Sequence, residues 1–547
     1  MHISEPNDQN NPSPKFEGFF LQMVMPGLEG RVSEIVTQGL GTDWEVKPIG
    51  DNFTEFELTQ REDALSVKDA WNKSYHLLGQ PGVVDAQPLF AVPLRGEESI
   101  QQATDIDAES NDVDWSLKQI RVFETWSRFF PDPNQLPGNG IIIGHPDTGY
   151  TEHPEITPNL LIEEGYDFLK NDSDAKDELE TPPTELINNP GHGTSTASVA
   201  ISLRGPQANY PSGKAVTGVA PGGKLVPLRI SFSVVLLSIL NLAAAIEYAA
   251  DRGIHILSIS LGTGLFNQRL RSAIIYAQKR GVIIIAASGT YIPYVVWPAA
   301  YDEVIAVTGS NVRREIWKGS SRGKQVDVTA PGESVWYAKS LKQGDNITYD
   351  ILQGDGTSFS APIVAGVAAL WLSYHGRDQL IARYGAEKIP FIFNQILRDS
   401  CEKFPTWKPN KFGAGIVNAE KVLAAPLPDN INAIMAPAFA LQQLPSVDSG
   451  RLDTFAHLFD SESDNAIQTS LAQLLQVPET ELPNRLKEVG QELAFCFATN
   501  PEFYNQFAAS LQQPNQLLPD TSNNLELARE MLLNQNVSDV LKAKLGE

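Results

Sequence analysis

Between Trp115 and about Ala425, five short apolar runs rich in β-branched residues (140–144, 224–229, 254–261, 282–287 and 304–307) alternate with stretches of helical periodicity. Apolar runs without polar alternation suit strands that are covered on both faces. Strands alternating with helices predict an α/β unit, a doubly wound and mostly parallel sheet with helices on both sides. Sheets of this kind place their ligand-facing groups just beyond the carboxyl ends of the strands. The chemistry of the chain should therefore lie at the ends of these runs.

The chain has 547 residues. Single cores stop growing at about 250–300 residues, so more than one folded unit is expected. Residues 15–95 have the order β-α-β-β-α-β, with strands at 19–25, 44–49, 53–59 and 83–92 and helices at 28–40 and 66–78. Ser66 stands where the second helix needs an N-cap. This is the split βαβ order of a small ferredoxin-like α+β unit. Residues 1–14 are polar and Pro/Asn-rich and are expected to be disordered. Residues 96–114 are acidic and nearly free of large apolar groups, which predicts a linker to the α/β unit of 115–425. Residues 426–450 form a second, Pro-rich linker. Residues 451–547 lack strand-like runs and predict an all-α region, with helices near 466–476, 484–498, 501–512, 525–534 and 537–545. The Pro-rich connector would let these helices sit apart from the α/β unit.

The formal net charge is -24. A surface of that sign repels phosphate backbones, so nucleic acid is not an expected partner. The acidic C-terminal helices would suit a protein partner with a basic face. The two cysteines, Cys401 and Cys496, lie far apart and suggest free thiols rather than a disulfide framework. The most apolar stretch, residues 232–250, is broken by Ser238, Asn241 and Glu247 and predicts a buried helix. No membrane span is expected. The N-terminal residues lack a basic segment followed by an apolar one, so a cytoplasmic location is expected.

Three short motifs stand where strands end or helices begin. The first run closes on Gly144-His145-Pro146-Asp147-Thr148-Gly149. Gly191-His192-Gly193-Thr194-Ser195-Thr196 follows, and Gly356-Thr357-Ser358-Phe359-Ser360-Ala361-Pro362 opens an apolar helix. Each motif is weak alone, because Asp-Thr-Gly also marks aspartic proteases and Gly-His-Gly can be a turn. Together they place an acid, a base and a nucleophile in the order Asp, His, Ser, which is the order of subtilisin.

With these residues in view, 115–425 resembles the subtilisin family, the subtilases. Gly218-Val219-Ala220-Pro221, Ile256-Leu257-Ser258-Ile259-Ser260-Leu261-Gly262, Trp297-Pro298-Ala299-Ala300-Tyr301 and Gly413-Ala414-Gly415-Ile416-Val417-Asn418-Ala419 carry the resemblance between and beyond the motifs. It implies a serine endopeptidase acting on proteins or peptides through an acyl-enzyme. Ser358 would be the nucleophile, His192 the base that takes its proton, and Asp147 the group that holds the imidazole. The resemblance also implies a substrate-binding role for the backbone of Ser260, Leu261, Gly262, Ala287, Ser288 and Gly289. The family supplies an oxyanion donor from an Asn after Ala-Ala-x-Gly, but here Ala286-Ala287-Ser288-Gly289 is followed by Thr290. This departure leaves open a catalytically weak or inactive protein that binds peptides or partners. The family commonly carries a ferredoxin-like propeptide that blocks the cleft, and 15–95 has the right position and pattern for one.

Other polar residues predict structural roles. His145 lies beside Asp147 but lacks a Gly-x-Gly-Thr setting, and His153, His255 and Ser360 fit packing positions. The acidic stretch 171–178 lacks the glycine of an EF-hand and carries Lys176 at a ligand position. No cofactor and no metal site is expected, with calcium left open.

Overall fold

The computed structural model describes residues 14–25, 29–50, 53–60, 65–93, 110–180, 189–205, 210–234, 236–429, 452–459, 464–511 and 519–546. The expected disorder at 1–13, and most of the expected linkers (96–109 and 430–450), lie outside the described residues.

The first unit runs β1 (Lys15–Met23), α1 (Glu29–Leu40), β2 (Trp44–Ile49), β3 (Glu55–Gln60), α2 (Val67–Leu78) and β4 (Val83–Pro93). Its antiparallel strands stand in the order β2-β3-β1-β4. The side chain of Ser66 caps α2 by accepting the Asp69 N–H at 3.1 Å. Phe19, Leu21, Phe56, Leu58, Trp71 and Phe90 form the core between the sheet and the two helices.

Two short helices, α3 (Trp115–Gln119) and α4 (Val122–Phe129), lead into the α/β unit. Its strands are β5 (Ile142–Asp147), β6 (Tyr166–Asp167), β7 (Lys224–Arg229), β9 (Ile256–Ile259), β10 (Ile283–Ala287), β11 (Ile305–Ser310) and β12 (Val328–Pro331). They make one seven-stranded parallel sheet in the order β12-β11-β10-β9-β5-β7-β6. Strand order reverses at β5, so its carboxyl end is a topological switch point.

Period-two alternation divides the apolar residues between the two faces. Ile284 and Ala286 join the cluster of α6 (Ile239–Asp251) and α7 (Gln268–Lys279), whereas Ile283, Ile285 and Ala287 join that of α8 (Thr357–His375). By length and composition α8 could cross a bilayer, but it is 83% buried inside the fold and serves as a core helix. A hairpin of β13 (Val335–Gln343) and β14 (Asn346–Gly354) packs on α5 (His192–Ile201), where Ala338 N donates to Ser198 Oγ at 3.0 Å.

Two expectations need correction. Residues 232–250 are not one helix, since α6 begins only at Ile239, with Ser238 capping the Asn241 N–H at 3.1 Å. Leu236–Leu237 instead form a short strand, β8, which joins the first unit's sheet by pairing Leu237 with Val92 and Leu236 with Pro93. A side-chain cap and an adjacent edge strand outweigh the helical pattern of the preceding residues.

The C-terminal helices also do not sit apart. They span Leu452–Leu458, Asp464–Leu474, Leu482–Thr499, Pro501–Leu511, Pro519–Leu533 and Asp539–Lys544, the first being absent from the sequence expectation. Phe455, Leu458, Leu486, Leu493 and Phe497 share one apolar cluster with α6 and α7. His457 Nε2 donates to Val295 O at 2.7 Å, with its ring 4.7 Å from that of Trp297. The same helices reach the first unit. Phe495 enters its core beside Phe90 and Trp71, with ring centroids 4.8 and 5.9 Å away. Glu492 accepts hydrogen bonds from Tyr75 Oη and Ser538 N, and Lys68 pairs with Asp539 at 2.6 Å. Apolar faces this extensive find their cover on the neighbouring units.

Candidate active site

The Asp147 and His192 motifs meet because their glycines let two backbones touch. A Cβ on Gly193 would lie 2.1 Å from Gly149 O, and one on Gly149 would lie 2.3 Å from Ala175 O. No side chain fits either place, so the end of β5 can abut the start of α5. Thr148 Oγ1 accepts the Gly193 N–H at 3.1 Å, and Asp177 Oδ2 accepts from Thr148 Oγ1 and Gly191 N, locking the junction.

Asp147 is fully buried at the carboxyl end of β5. Its Oδ1 accepts the Thr148 N–H at 2.7 Å and the His192 Nδ1–H at 2.7 Å. Burial alone would raise its pKa. The neighbouring His192, with its charge and hydrogen bond, outweighs burial and, together with His145 and the Thr148 N–H, holds the carboxyl below its usual range. His192 opens α5 and keeps a side-chain exposure of 15%, so its ring sits on the buried acid with one edge still open to solvent.

Ser358 is the second residue of α8, after Gly356 at the cap position. Its N–H is among the donors that a helix leaves unpaired at its start. Its hydroxyl donates to Ser260 O at 3.0 Å, and Ser260 Oγ donates back to Ser358 O at 2.8 Å. The nucleophile candidate therefore rests against the residue that directly follows β9, with its hydroxyl proton on Ser260 O.

Thr290 lies beside this helix start. Its Oγ1 accepts the Thr357 N–H at 3.2 Å, and Thr357 Oγ1 in turn accepts the Gly289 N–H at 3.1 Å. The two hydroxyls also face each other, with Thr290 Oγ1 3.4 Å from Thr357 Oγ1 and either able to donate. The next residue, Tyr291, holds a left-handed φ of 57° and exposes its ring. All six residues expected to line a substrate site, Ser260, Leu261, Gly262, Ala287, Ser288 and Gly289, are buried, and Ser288 Oγ is committed to Ser321 O at 3.0 Å. Gly262 packs against Val296 and Trp297 O, and Thr263 and Trp297 exchange backbone hydrogen bonds of 2.7 and 2.9 Å.

The residues expected to be structural are placed accordingly. Ser360 is buried and donates to Pro331 O at 2.9 Å. Buried His153 stacks on Tyr210, and burial pushes its pKa down to about 4. His255 Nδ1 accepts the Ile142 N–H, and burial, helped by Arg377, lowers its pKa to about 4. In 171–178 the carboxylates of Asp172 and Asp174 accept backbone N–H groups, while Lys170 pairs with Glu178 at 2.7 Å. Among the described residues no group of three or more His, Cys, Asp or Glu side chains stands together as a metal cage. His145 is buried too, with Nδ1 donating to Ser258 O at 2.9 Å and Nε2 accepting from the Thr196 hydroxyl at 2.8 Å. Its closeness to Asp147 was legible in the sequence, because residues i and i+2 of a strand share a face.

An acid hydrogen-bonded to an imidazole at the carboxyl end of β5, in a doubly wound parallel sheet, with a helix-start serine held on the residue after the adjoining β9, is the arrangement expected of an α/β serine peptidase. The model of the subtilase family matches residues 138–398. M-protease of Shouchella clausii is 28% identical over 324 residues, 59% of this chain and 72% of that protein. Thermitase of Thermoactinomyces vulgaris is 33% identical over 44% of this chain and 77% of its own length. The major intracellular serine protease of Bacillus subtilis is 30% identical over 48% and 76%. Among solved structures, fervidolysin of Fervidobacterium pennivorans shares the fold at 20% identity and a TM-score of 0.53, covering 78% of this chain and 63% of that one. The chain belongs to the subtilase family of serine-type endopeptidases.

Proposed function

We propose that the chain hydrolyses peptide bonds in proteins through an acyl-enzyme on Ser358, with Asp147, His192 and Ser358 as its triad. The observation that carries this reading is the 2.7 Å His192–Asp147 hydrogen bond at the sheet's switch point; Ser358, at the start of α8, is held on Ser260 beside the adjoining β9. Asp147 fixes the tautomer of His192 with Nδ1 protonated, which leaves Nε2 as the base. For proton transfer the Ser358 hydroxyl leaves Ser260 O and turns to Nε2. Attack on a carbonyl then builds negative charge on its oxygen. The Ser358 N–H and the Thr290 hydroxyl are the donors for that oxygen, and the positive end of α8 adds to them.

The first unit, of ferredoxin-like type, acts in this proposal as an inhibitory N-terminal domain. Its last strand pairs with β8 just before α6. Glu17 receives the Ile239 N–H at 3.1 Å and Gln87 the Gln268 N–H at 3.2 Å, so each caps the start of a protease helix. Glu57 binds the buried Arg269 at 2.7 Å. Residues 15–95, 115–425 and 451–547 are its three working units. A second reading, a weak or inactive subtilase, has in its favour the Ser358 hydroxyl resting on Ser260 O and Thr290 in place of the family's Asn.

A fluorophosphonate probe decides between the two. Labelling of the wild type that disappears in Ser358→Ala, with self-cleavage between Leu94 and Trp115 lost in the same variant, is the expected result. Equal labelling of both proteins would remove Ser358 as nucleophile, and absence of labelling in the wild type would favour the inactive reading.

A further inference from the structure

Two backbone segments reach Ser358 from neighbouring strands. β9 and β10 run in parallel with Ile259 beside Ala286, so residues 260–262 and 287–289 leave the sheet side by side. On one side Ser260 O holds the Ser358 hydroxyl at 3.0 Å, and on the other the Gly289 N–H donates to Thr357 Oγ1 at 3.1 Å. A residue whose carbonyl carbon is attacked by Ser358 carries its Cβ two bonds from that carbon. With the carbonyl oxygen taken by the helix start and Thr290, this side chain has the gap between the two segments to enter. Gly262 and Gly289 leave both walls of the gap without a side chain of their own.

The gap is already filled. Val296 is 2% exposed, and its two methyl groups face the two glycines. A Cβ on Gly262 would lie 2.6 Å from Val296 Cγ2, and one on Gly289 would lie 3.2 Å from Val296 Cγ1. The Val296 backbone is tied to both walls as well. Its N–H donates to Ser288 O at 2.9 Å, while Trp297 exchanges hydrogen bonds of 2.9 and 2.7 Å with Thr263. The C-terminal helices brace the same segment from behind. His457 Nε2 donates to Val295 O at 2.7 Å, and its ring stands 4.7 Å from Trp297 and 5.8 Å from Tyr294. A β-branched side chain is stiff at χ1, and a backbone held on three sides gives it no room to withdraw. Extra carbons forced into so close-packed a place are resisted.

We propose that Val296 is a specificity-determining residue, closing the gap between 260–262 and 287–289 so that the substrates are polypeptides with glycine, alanine or serine as the residue that gives the scissile carbonyl. The proposal rests on the peptidase reading and deepens it. Succinyl-Ala-Ala-Pro-Ala-p-nitroanilide and succinyl-Ala-Ala-Pro-Phe-p-nitroanilide are compared on the full chain, on Val296→Ala and on Val296→Gly. The wild type should favour the Ala substrate at least about tenfold in kcat/KM, the discrimination that a pocket wall gives against added carbons. The Phe substrate should gain about 10-fold in Val296→Ala and about 100-fold in Val296→Gly, turning the preference toward Phe. A wild type that cleaves the Phe substrate as well as the Ala one would overturn the proposal. So would variants that keep the wild-type ratio. Should the variants not fold, the wild-type ratio alone decides. A wild type that cleaves neither substrate would refute the peptidase reading, and Val296 is then judged on the Ser358→Ala chain by calorimetry with the product peptides ending in Ala or Phe. Binding of the Ala peptide at least about tenfold more tightly supports the proposal. Equal binding, tighter binding of the Phe peptide or binding of neither overturns it.

Discussion

Phe495 gives the sharpest test of how the three units hold together. Its helix belongs to the C-terminal region, but its ring lies in the core of the N-terminal domain, 5% exposed, against Phe90 and Trp71. Truncating a buried Phe to Ala costs about 3–5 kcal/mol. Each of its two ring pairs accounts for about 0.5–1.5 kcal/mol beyond burial. Because the contacts cross between units, most of the loss falls on docking rather than on the helical bundle. We expect Phe495→Ala to weaken docking of the N-terminal domain by about 3 kcal/mol, or roughly 100-fold in dissociation constant. The measurement uses a Ser358→Ala chain with a foreign cleavage site placed within 96–109. After cutting, the domain's dissociation is followed by size exclusion and calorimetry. Retention equal to that of the parent, or loss of docking only together with unfolding of the rest, would refute the idea that the C-terminal helices clamp this domain in place.

Burial against α6 raises the pKa of Glu17 to about 7, from 4.5 for a free side chain. A carboxyl whose pKa is raised on docking favours the docked state fully below the free value, and that advantage is lost as pH rises through the docked value. The N-terminal domain should therefore bind at least about tenfold more tightly at pH 5 than at pH 8. Calorimetry on the Ser358→Ala chain, cut as above, checks this, and Glu17→Gln should flatten the dependence; an unchanged slope in the Gln variant would clear Glu17 of the effect. Thr290→Val should lower kcat about 100-fold with little change in KM, because the lost hydroxyl acts in the transition state. Full kcat in this variant would place the second oxyanion donor elsewhere.

The parallel sheet, its α/β class and the candidate site residues are legible in the sequence. β-Branched runs such as 283–287 can be buried on both faces and little else, and Gly149 and Gly193 flag the places where backbones must pass closely. These are local constraints, legible one segment at a time. Tertiary structure decided what depends on neighbours. The helical pattern of 232–250 gives way at 236–237 because β4 offers these residues a strand to pair with. The C-terminal helices announce an apolar face, but periodicity names no partner, and only in the fold does that face cover both the protease and the N-terminal domain. The resting position of the Ser358 proton on Ser260 O, and the seating of Val296 between Gly262 and Gly289, follow from separate segments converging. Contacts of that kind are set by distances across the fold, which spacing along the chain does not encode.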